Sequence, residues 1–308
     1  MSARLSPAAV ECVLDARADV GEGATWCPES QRLLWVDVWR QRVHRFDPAS
    51  GIDEHFSMPE RAGCVAPAGP DLLVVGLQSG LFSFVPSSGS LQPLAALAHA
   101  GENRCNDSVV DRAGRLWCGT MPMQGLKAGG GPSGELFSFG GGRLRLHLGE
   151  LYLSNGLACS PDGKLLYLSD SHPSRNRVWV FDLDQDGTLS GQRLFLDGVS
   201  MPGRPDGATV DADGCYWICA IDGWSVLRVT PRGQIDRVVM LPVSKPSKVA
   251  IGGRHLDTLL ITSISATLDE QQRAGQPLAG GVFAVHVGSL GVAGVPVDLS
   301  SGAVAHPS

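Results

Sequence analysis

The amino-acid sequence predicts an all-β fold, a six-bladed β-propeller with four-stranded antiparallel blades. Short apolar runs with the period-2 alternation of β-strands dominate the 308-residue chain, and helical periodicity is nearly absent. A similar hairpin also returns along the chain at intervals of 39 to 50 residues, which is the spacing of propeller blades. Its six copies centre near Leu34, Leu73, Leu116, Leu166, Tyr216 and Leu259.

Each of these hairpins is followed by a second pair of strands. The first member of that pair is predicted at residues 43–47, 81–84, 135–139, 178–181, 226–229 and 281–285. Most of these runs end at a glycine- or aspartate-rich turn, such as 86–89. The segments 10–14 and 295–299 could pair in one blade and close the circle, which would remove free sheet edges. One short helix is predicted at 267–273, inside the last blade.

Together these elements predict one domain over residues 1–308. The alternative is a pair of packed β-sandwich domains, which explains the number of strands but not the regular return of one hairpin. A glycine-rich segment, 127–134, joins the inner and outer strand pairs of the third blade. It could cover a site like a lid, or it could be a surface loop.

Composition and charge exclude several classes of partner. The chain is 43% hydrophobic and 18% charged, as is usual for globular proteins. Its net charge of −6 and the lack of a basic patch interleaved with aromatics argue against nucleic-acid and membrane partners. The sequence has no spanning apolar run and no signal-peptide pattern, so we expect a cytoplasmic location. The eight cysteines have no Cys-x-x-Cys pairing and are expected to be reduced.

A polar residue opens the first strand of four of the six units. It stands eight residues before the turn residues Ser30, Gly114, Gly163 and Gly214, at Glu22, Asn106, Asn155 and Asp206. The first strand of a propeller blade lines the central channel, so equivalent positions should form a ring at one mouth. The same count gives Arg61 and Lys245 in the other two units, from less regular hairpins.

Such a ring of carboxylates and carboxamides favours a metal site. Carboxylates brought together raise each other's pKa unless a cation compensates them. Oxygen ligands alone point to a hard divalent ion such as calcium, magnesium or manganese, although zinc also accepts them. The alternative is that each polar residue only caps a turn. The shared position of four residues favours the metal site.

A divalent ion at this ring would support hydrolysis. It would polarise a carbonyl and lower the pKa of a water, and a neighbouring carboxylate could act as general base. Arg104 and Asn106 are donors that could fix the oxygens of a substrate. The ring contains no serine or cysteine nucleophile backed by a histidine, and a turn role is expected for His172. The implied reaction is metal-assisted hydrolysis of an ester-like carbonyl.

Six motifs in order resemble the gluconolactonase/regucalcin family of six-bladed propellers. They are Gly-Glu-Gly-Ala-Thr-Trp at 21–26, Asn-Arg-Cys-Asn-Asp at 103–107, Gly-Thr-Met at 119–121, Ser-Asn-Gly-Leu at 154–157, Pro-Asp-Gly at 205–207 with Asp-Ala-Asp-Gly at 211–214, and Gln-Pro-Leu-Ala-Gly-Gly-Val-Phe at 276–283. The resemblance covers about residues 22 to 285. It implies an aldonolactonase of carbohydrate catabolism that hydrolyses a small-molecule sugar lactone with one divalent metal ion, calcium being the first expectation.

The resemblance also implies roles for individual residues. Glu22, Asn155 and Asp206 would hold the metal, and Asp206 would also be the catalytic acid/base. Arg104 and Asn106 would bind hydroxyl and ring oxygens of the substrate.

The chain departs from the family pattern at two positions that bear on the substrate. Gln124 stands where animal members carry a glutamate that contacts substrate, and Ser108 follows Asp107 where glycine is usual. Basic residues near the expected mouth could receive an acidic substituent on a sugar, or could be solvated surface charges; they are Arg204, Arg175 and Lys127.

Two other functions stay open from the sequence. One is a non-enzymatic calcium-binding protein, although no EF-hand loop is apparent. The other is a propeller esterase or phosphotriesterase that acts on other ester-like bonds.

Overall fold

Six antiparallel sheets surround a central axis in the computed structural model, which confirms the six-bladed β-propeller. The structure describes residues 3–5, 10–98, 100–125 and 131–288. The predicted strand at 295–299 and residues 127–130 of the glycine-rich segment lie outside these residues. The first strands of neighbouring blades pack against one another all the way round, and the first strand of blade 6 contacts that of blade 1.

Blades 1 to 4 are each built from four consecutive strands, with the first strand of each nearest the axis. Blade 1 contains β3 (Gly21–Cys27), β4 (Arg32–Asp37), β5 (Arg42–Asp47) and β6 (Ile52–Ser57); blade 2 contains β7 (Cys64–Gly69), β8 (Leu72–Gly76), β9 (Gly80–Val85) and β10 (Ser90–Ala96). Blade 3 contains β11 (Asn103–Val110), β12 (Leu116–Pro122), β13 (Gly134–Gly140) and β14 (Arg143–Leu151); blade 4 contains β15 (Ser154–Cys159), β16 (Leu165–Asp170), β17 (Arg177–Leu183) and β18 (Leu189–Asp197).

Blades 5 and 6 take additional strands from the beginning of the chain. Blade 5 contains β19 (Arg204–Val210), β20 (Tyr216–Ile221), β21 (Ser225–Val229) and β22 (Ile235–Met240), and β1 (Ala3–Leu5) adds to it parallel to β22. Blade 6 contains β23 (Pro246–Gly252), β24 (Thr258–Ser263) and β25 (Val282–His286). Its fourth strand is β2 (Glu11–Leu14), antiparallel to β25, so the predicted leading segment does complete a blade. This pairing ties the start of the chain to the last blade and covers an edge.

The recurring hairpins of blades 3 and 5 are fixed by a buried aspartate. Asp111 and Asp211 each accept backbone N–H groups of the turn through Oδ1. Each also accepts the indole N–H of the tryptophan six positions later, Trp117 or Trp217, through Oδ2 at 2.8 Å. The Asp-x-x-Gly-x-x-Trp pattern therefore joins the turn to the apolar layer between blades.

The short helix begins slightly later than predicted. It is α1 (Glu270–Ala274), between β24 and β25. The Asp269 side chain accepts the N–H of Gln272, and the Gln272 side chain accepts the N–H of Asp269. This reciprocal capping box fixes the first turn after Asp269 and not at residue 267.

The cysteine side chains are unpaired, as expected from their spacing in the sequence. All eight cysteines are free thiols, most of them buried. Among the described residues, no helix has the length and apolar character needed to cross a bilayer.

Candidate functional site

A cavity of about 540 Å³ opens at the mouth of the central channel where the first strands begin. All six residues found by the eight-residue count line it: Glu22, Arg61, Asn106, Asn155, Asp206 and Lys245. Arg104 and Gln124 line the same cavity. Its volume lies within the roughly 300–1,000 Å³ of small-molecule sites. The structure thus brings together the predicted metal, catalytic and substrate-binding residues, while their roles remain predictions.

β-Bulges turn the polar side chains towards this cavity. Near its start, the first strand shifts register against the second in five blades, between Glu22 and Thr25, Cys105 and Ser108, Asn155 and Ala158, Pro205 and Ala208, and Pro246 and Val249. In blade 2 the shift comes later, between Pro67 and Gly69. A bulge bends its strand and redirects the local side chains. Gly23 and Gly156, directly after two of the polar residues, have φ values of +64° and +65°. Glycine adopts this backbone without the strain that a side chain would cause.

Two carboxylates share the cavity without hydrogen bonds from other side chains. Among the described residues, the only group that donates to the Glu22 carboxylate is the N–H of Gly23, at 3.2 Å, and none donates to Asp206. Burial raises the pKa of Glu22 to about 7, and the charge of Asp107 adds to the rise. Burial also raises the pKa of Asp206 well above its usual range, followed by the charge of Glu22. The pair is therefore poorly compensated by the protein itself.

The amide side chains are held in fixed orientations. Arg104 Nη1 donates to Asn106 Oδ1 at 2.8 Å. Asn106 Nδ2 donates to Asn155 Oδ1 at 2.7 Å and to the Ser154 carbonyl at 2.9 Å. Asn155 Nδ2 in turn donates to Ser171 Oγ at 2.9 Å. Because a carbonyl oxygen has two lone pairs, Asn155 Oδ1 can still serve one further partner.

This donor set fits a hard divalent cation. It offers two carboxylates and one amide oxygen, and a cation among them would relieve the repulsion that raises the pKa of Asp206. Within the described part of the chain, no three His, Cys, Asp or Glu side chains group together as a metal site. The described lining of the cavity contains no histidine or cysteine, so its candidate ligands are carboxylate and amide oxygens.

A buried ion pair below the site was not foreseen from the sequence. Lys248 Nζ of β23 contacts Asp107 Oδ1 of β11 at 2.5 Å, and Asp107 Oδ2 accepts the N–H of Leu157 at 2.8 Å. Both charged side chains are buried, and the contacts join blades 6, 3 and 4. A cavity of only about 70 Å³ follows further along the channel, bordered by Lys248 and Ser108. The available sequence signal was a single lysine within Pro-Ser-Lys-Val-Ala-Ile-Gly, since a charge in an apolar inner strand needs a partner.

The basic residues of the cavity differ in their pairing. Arg204 Nη2 donates to Asp222 Oδ2 at 3.0 Å, and Lys245 Nζ contacts the other oxygen of Asp222. Arg61 donates through its backbone N–H to Gln78 Oε1, but no described residue bonds to its guanidinium. Burial lowers the pKa of Arg104 to about 10, and the nearby charge of Arg61 contributes to the fall.

Arg175 and His172 do not belong to the described lining of this cavity. Arg175 lies over the ring of Tyr152, with its guanidinium carbon 5.7 Å from the ring centroid. His172 Nδ1 is 2.7 Å from Ser174 Oγ and belongs to a turn, as expected. Lys127 lies outside the described residues.

Comparison with known proteins identifies the family. Residues 20–265 match the family described as SMP-30/Gluconolactonase/LRE-like region. The chain belongs to this family. A 6-deoxy-6-sulfogluconolactonase of Pseudomonas putida is 35% identical over 288 residues, which cover 92% of this chain and 97% of that protein. Regucalcin of Danio rerio is 31% identical over 295 residues, which cover 95% and 98%. The resemblance read from the motifs is confirmed.

A solved structure agrees with the fold. The chain is similar to a calcium-binding protein, regucalcin, of Agrobacterium tumefaciens strain C58, with a TM-score of 0.86 and 24% identity. The match covers 93% of this chain and 95% of that one. The chain and this solved structure therefore share the propeller fold. Relatives of the chain are named as a sugar lactonase and as regucalcin.

Proposed function

We propose that this protein is a metal-dependent hydrolase that opens a sugar-acid lactone to the free aldonic acid in carbohydrate catabolism. The observation that carries the proposal is the cavity in which Glu22 and Asp206 lie without neutralising side-chain donors, beside a fixed network of Arg104, Asn106 and Asn155. A relative named as a sugar lactonase, 35% identical over nearly the whole chain, supports it.

Glu22, Asn155 and Asp206 would hold one divalent ion, with calcium as the first candidate and zinc, manganese and magnesium as alternatives. When bound, such an ion polarises the lactone carbonyl and lowers the pKa of the attacking water. The carboxylates of Glu22 and Asp206 would then remain ionised side by side, because the repulsion between them is compensated.

Asp206 is the catalytic acid/base in this proposal. Its carboxylate accepts no hydrogen bond from any described residue, so its lone pairs are available to a water in the cavity. As water attacks the carbonyl carbon, Asp206 accepts its proton. When the bond between the carbonyl carbon and the ring oxygen breaks, Asp206 returns the proton to that oxygen, which becomes a hydroxyl group.

Arg104, Asn106 and Gln124 would orient the sugar. Arg104 is buried and its Nη1 is fixed on Asn106 Oδ1, so its remaining N–H groups are pre-organised for substrate oxygens. Both amide hydrogens of Asn106 are used within the protein, which leaves its Oδ1 as the atom for a substrate hydroxyl. Gln124 is exposed on the cavity wall and can reach a more distant hydroxyl.

The test is a proton-release assay over five- and six-carbon aldonolactones after chelation, with calcium, magnesium, manganese or zinc added back. We expect turnover that is lost on chelation and restored by at least one ion. Turnover of no lactone with any ion contradicts the proposal. An aryl ester and a phosphotriester in the same panel test the esterase and phosphotriesterase alternatives.

The second candidate is a calcium-binding protein without catalytic activity, because a relative is named regucalcin and a solved structure of that name is described as a calcium-binding protein. Calorimetric titration with calcium separates the two. Tight calcium binding without turnover of any lactone supports this second candidate.

A further inference from the structure

The basic side chains of the cavity are distributed unevenly around the axis. Among the residues that the structure describes, four basic and two acidic ones line it. On the side of blades 5 and 6, Arg204 and Lys245 share one carboxylate, Asp222. Their charges are thus already partly balanced, and each has a donor engaged with Asp222.

The opposite side, on blades 2 and 3, carries two arginines without a carboxylate partner of this kind. Arg104 uses Nη1 in bonds to Asn106 Oδ1 and to the Cys105 carbonyl, and no described residue accepts from its Nε or Nη2. Arg61 has no described partner for its guanidinium. Burial lowers the pKa of Arg104 to about 10 although the charge of Glu22 raises it, and the nearby charge of Arg61 adds to the fall. Such a pair of like charges attracts an anion.

The backbone around Arg61 is fixed although its side chain is unpaired. Its N–H donates to Gln78 Oε1 at 3.1 Å, and the neighbouring Glu60 accepts the N–H of Ser79 at 2.8 Å. These bonds join the segment before β7 to the turn between β8 and β9. The anchored backbone fixes the point on the cavity wall from which the Arg61 side chain extends, so no backbone ordering is needed when a ligand binds.

We propose that Arg61 is the specificity-determining residue of an anion subsite, and that the substrate is a lactone with a terminal acidic group, a carboxylate or a sulfonate. This inference rests on the proposed lactonase function. The reacting carbonyl is assigned to Glu22, Asn155 and Asp206 on blades 1, 4 and 5. Blades 2 and 3 lie between blades 1 and 4, so a substituent on the sugar would meet Arg61 there. The planar guanidinium offers two parallel N–H groups to such an oxyanion.

The first experiment compares glucono-1,5-lactones with a hydroxyl, a carboxylate or a sulfonate at C6. We expect kcat/KM of the parent to be at least about tenfold higher for an acidic lactone. In Arg61→Met the loss on that lactone should exceed the loss on the neutral one by roughly tenfold to hundredfold, the range for one charge-assisted contact. Arg61→Lys should recover part of the lost kcat/KM on the acidic lactone, because lysine restores the positive charge but not the two parallel N–H groups of the guanidinium. The carboxylate and sulfonate arms show which acidic group is preferred.

Lys245→Met is the matched control. It also removes one positive charge from the cavity, but that charge is already paired with the carboxylate of Asp222. We expect its effect on acidic and neutral lactones to agree within about threefold. An equal selective loss in both variants overturns the subsite in favour of general electrostatic attraction. Equal kcat/KM of the parent for acidic and neutral lactones also overturns it, while the lactonase function stands.

A binding experiment keeps the two proposals apart. Methyl glucopyranosides with a hydroxyl, a carboxylate or a sulfonate at C6 contain no lactone, so calorimetry reports the subsite without turnover. Acidic glycosides that bind the parent at least about tenfold more tightly than Arg61→Met support the subsite even if no lactone is hydrolysed. The same affinity for parent and variant, including no binding to either, overturns it even if lactones are hydrolysed. Circular dichroism and thermal unfolding confirm that each variant is folded.

Discussion

Two buried aspartates at opposite ends of one strand have opposite surroundings. Asp206 lies near the start of β19 and Asp211 directly follows its end; they are 4% and 0% exposed. Asp211 accepts four hydrogen bonds, from two backbone N–H groups of its turn, from Trp217 and from Arg228. Asp206 accepts none from the described residues. A buried carboxylate that accepts several hydrogen bonds stabilises a fold. One without hydrogen-bond donors is a candidate group for binding a ligand.

The largest expected effect is the loss of catalysis when Asp206 is replaced. Asp206→Ala should lower kcat/KM for aldonolactones about 10³-fold, because it removes both a metal ligand and the acid/base. Initial rates at saturating calcium measure the loss. Thermal unfolding of the chelated protein is the control for folding, and a folded variant that opens lactones at the parent rate contradicts the proposed role.

The same substitution at the other end of the strand should act on stability. Asp211→Ala should lower the free energy of unfolding by about 3–5 kcal/mol, because it leaves the indole N–H of Trp217 and part of Arg228 buried without their acceptor. Denaturant unfolding followed by tryptophan fluorescence measures it. Asp213→Asn is the matched control, since this partner of Arg228 is 60% exposed and should cost less than about 1 kcal/mol. Equal losses in the two variants would refute the distinction.

Removing the proposed uncharged metal ligand, Asn155, should weaken ion binding without removing a carboxylate. Asn155→Ala should weaken binding of the divalent ion by about tenfold, because it removes an amide oxygen beside Asp206. Calorimetric titration of the chelated protein reports the change. Gln124→Ala, on the same cavity wall, should leave the ion affinity within about twofold of the parent. The assignment of Asn155 fails if both variants bind the ion as the parent does.

A further expected effect is a pH dependence of stability in the absence of metal. The pKa of Glu22 rises from 4.5 to about 7 on folding, so the folded state binds more protons between these values. Stability of the chelated protein should therefore fall as pH rises through this window. Glu22→Gln should flatten the fall, and saturating divalent ion should reverse it. Denaturant unfolding between about pH 5 and about pH 8 tests this, and a pH-independent difference between parent and variant opposes it.

Much of the fold and site was predictable because the information is local and repeated. Alternating apolar residues and a recurring turn located every blade, and counting back from the turns found the residues that line the cavity. The pairing of Lys248 with Asp107 was not predictable, because it joins residues 141 positions apart that meet only when the ring closes. Asp222 likewise neutralises Arg204 and Lys245 from a neighbouring turn. The start of α1 was readable from its capping box.

The central claim is that Asp206 is kept for a bound ion and not for stability. The most direct measurement is the midpoint of thermal unfolding of the parent and of Asp206→Asn, each with chelator and with excess divalent ion. We expect the chelated variant to be at least as stable as the chelated parent. Only the parent should show an unfolding midpoint that rises by several degrees when the ion is added, because an ion that binds the folded state stabilises it by mass action. An Asp206→Asn protein that unfolds well below the parent in chelator, or that gains the same stabilisation from the ion, would contradict it.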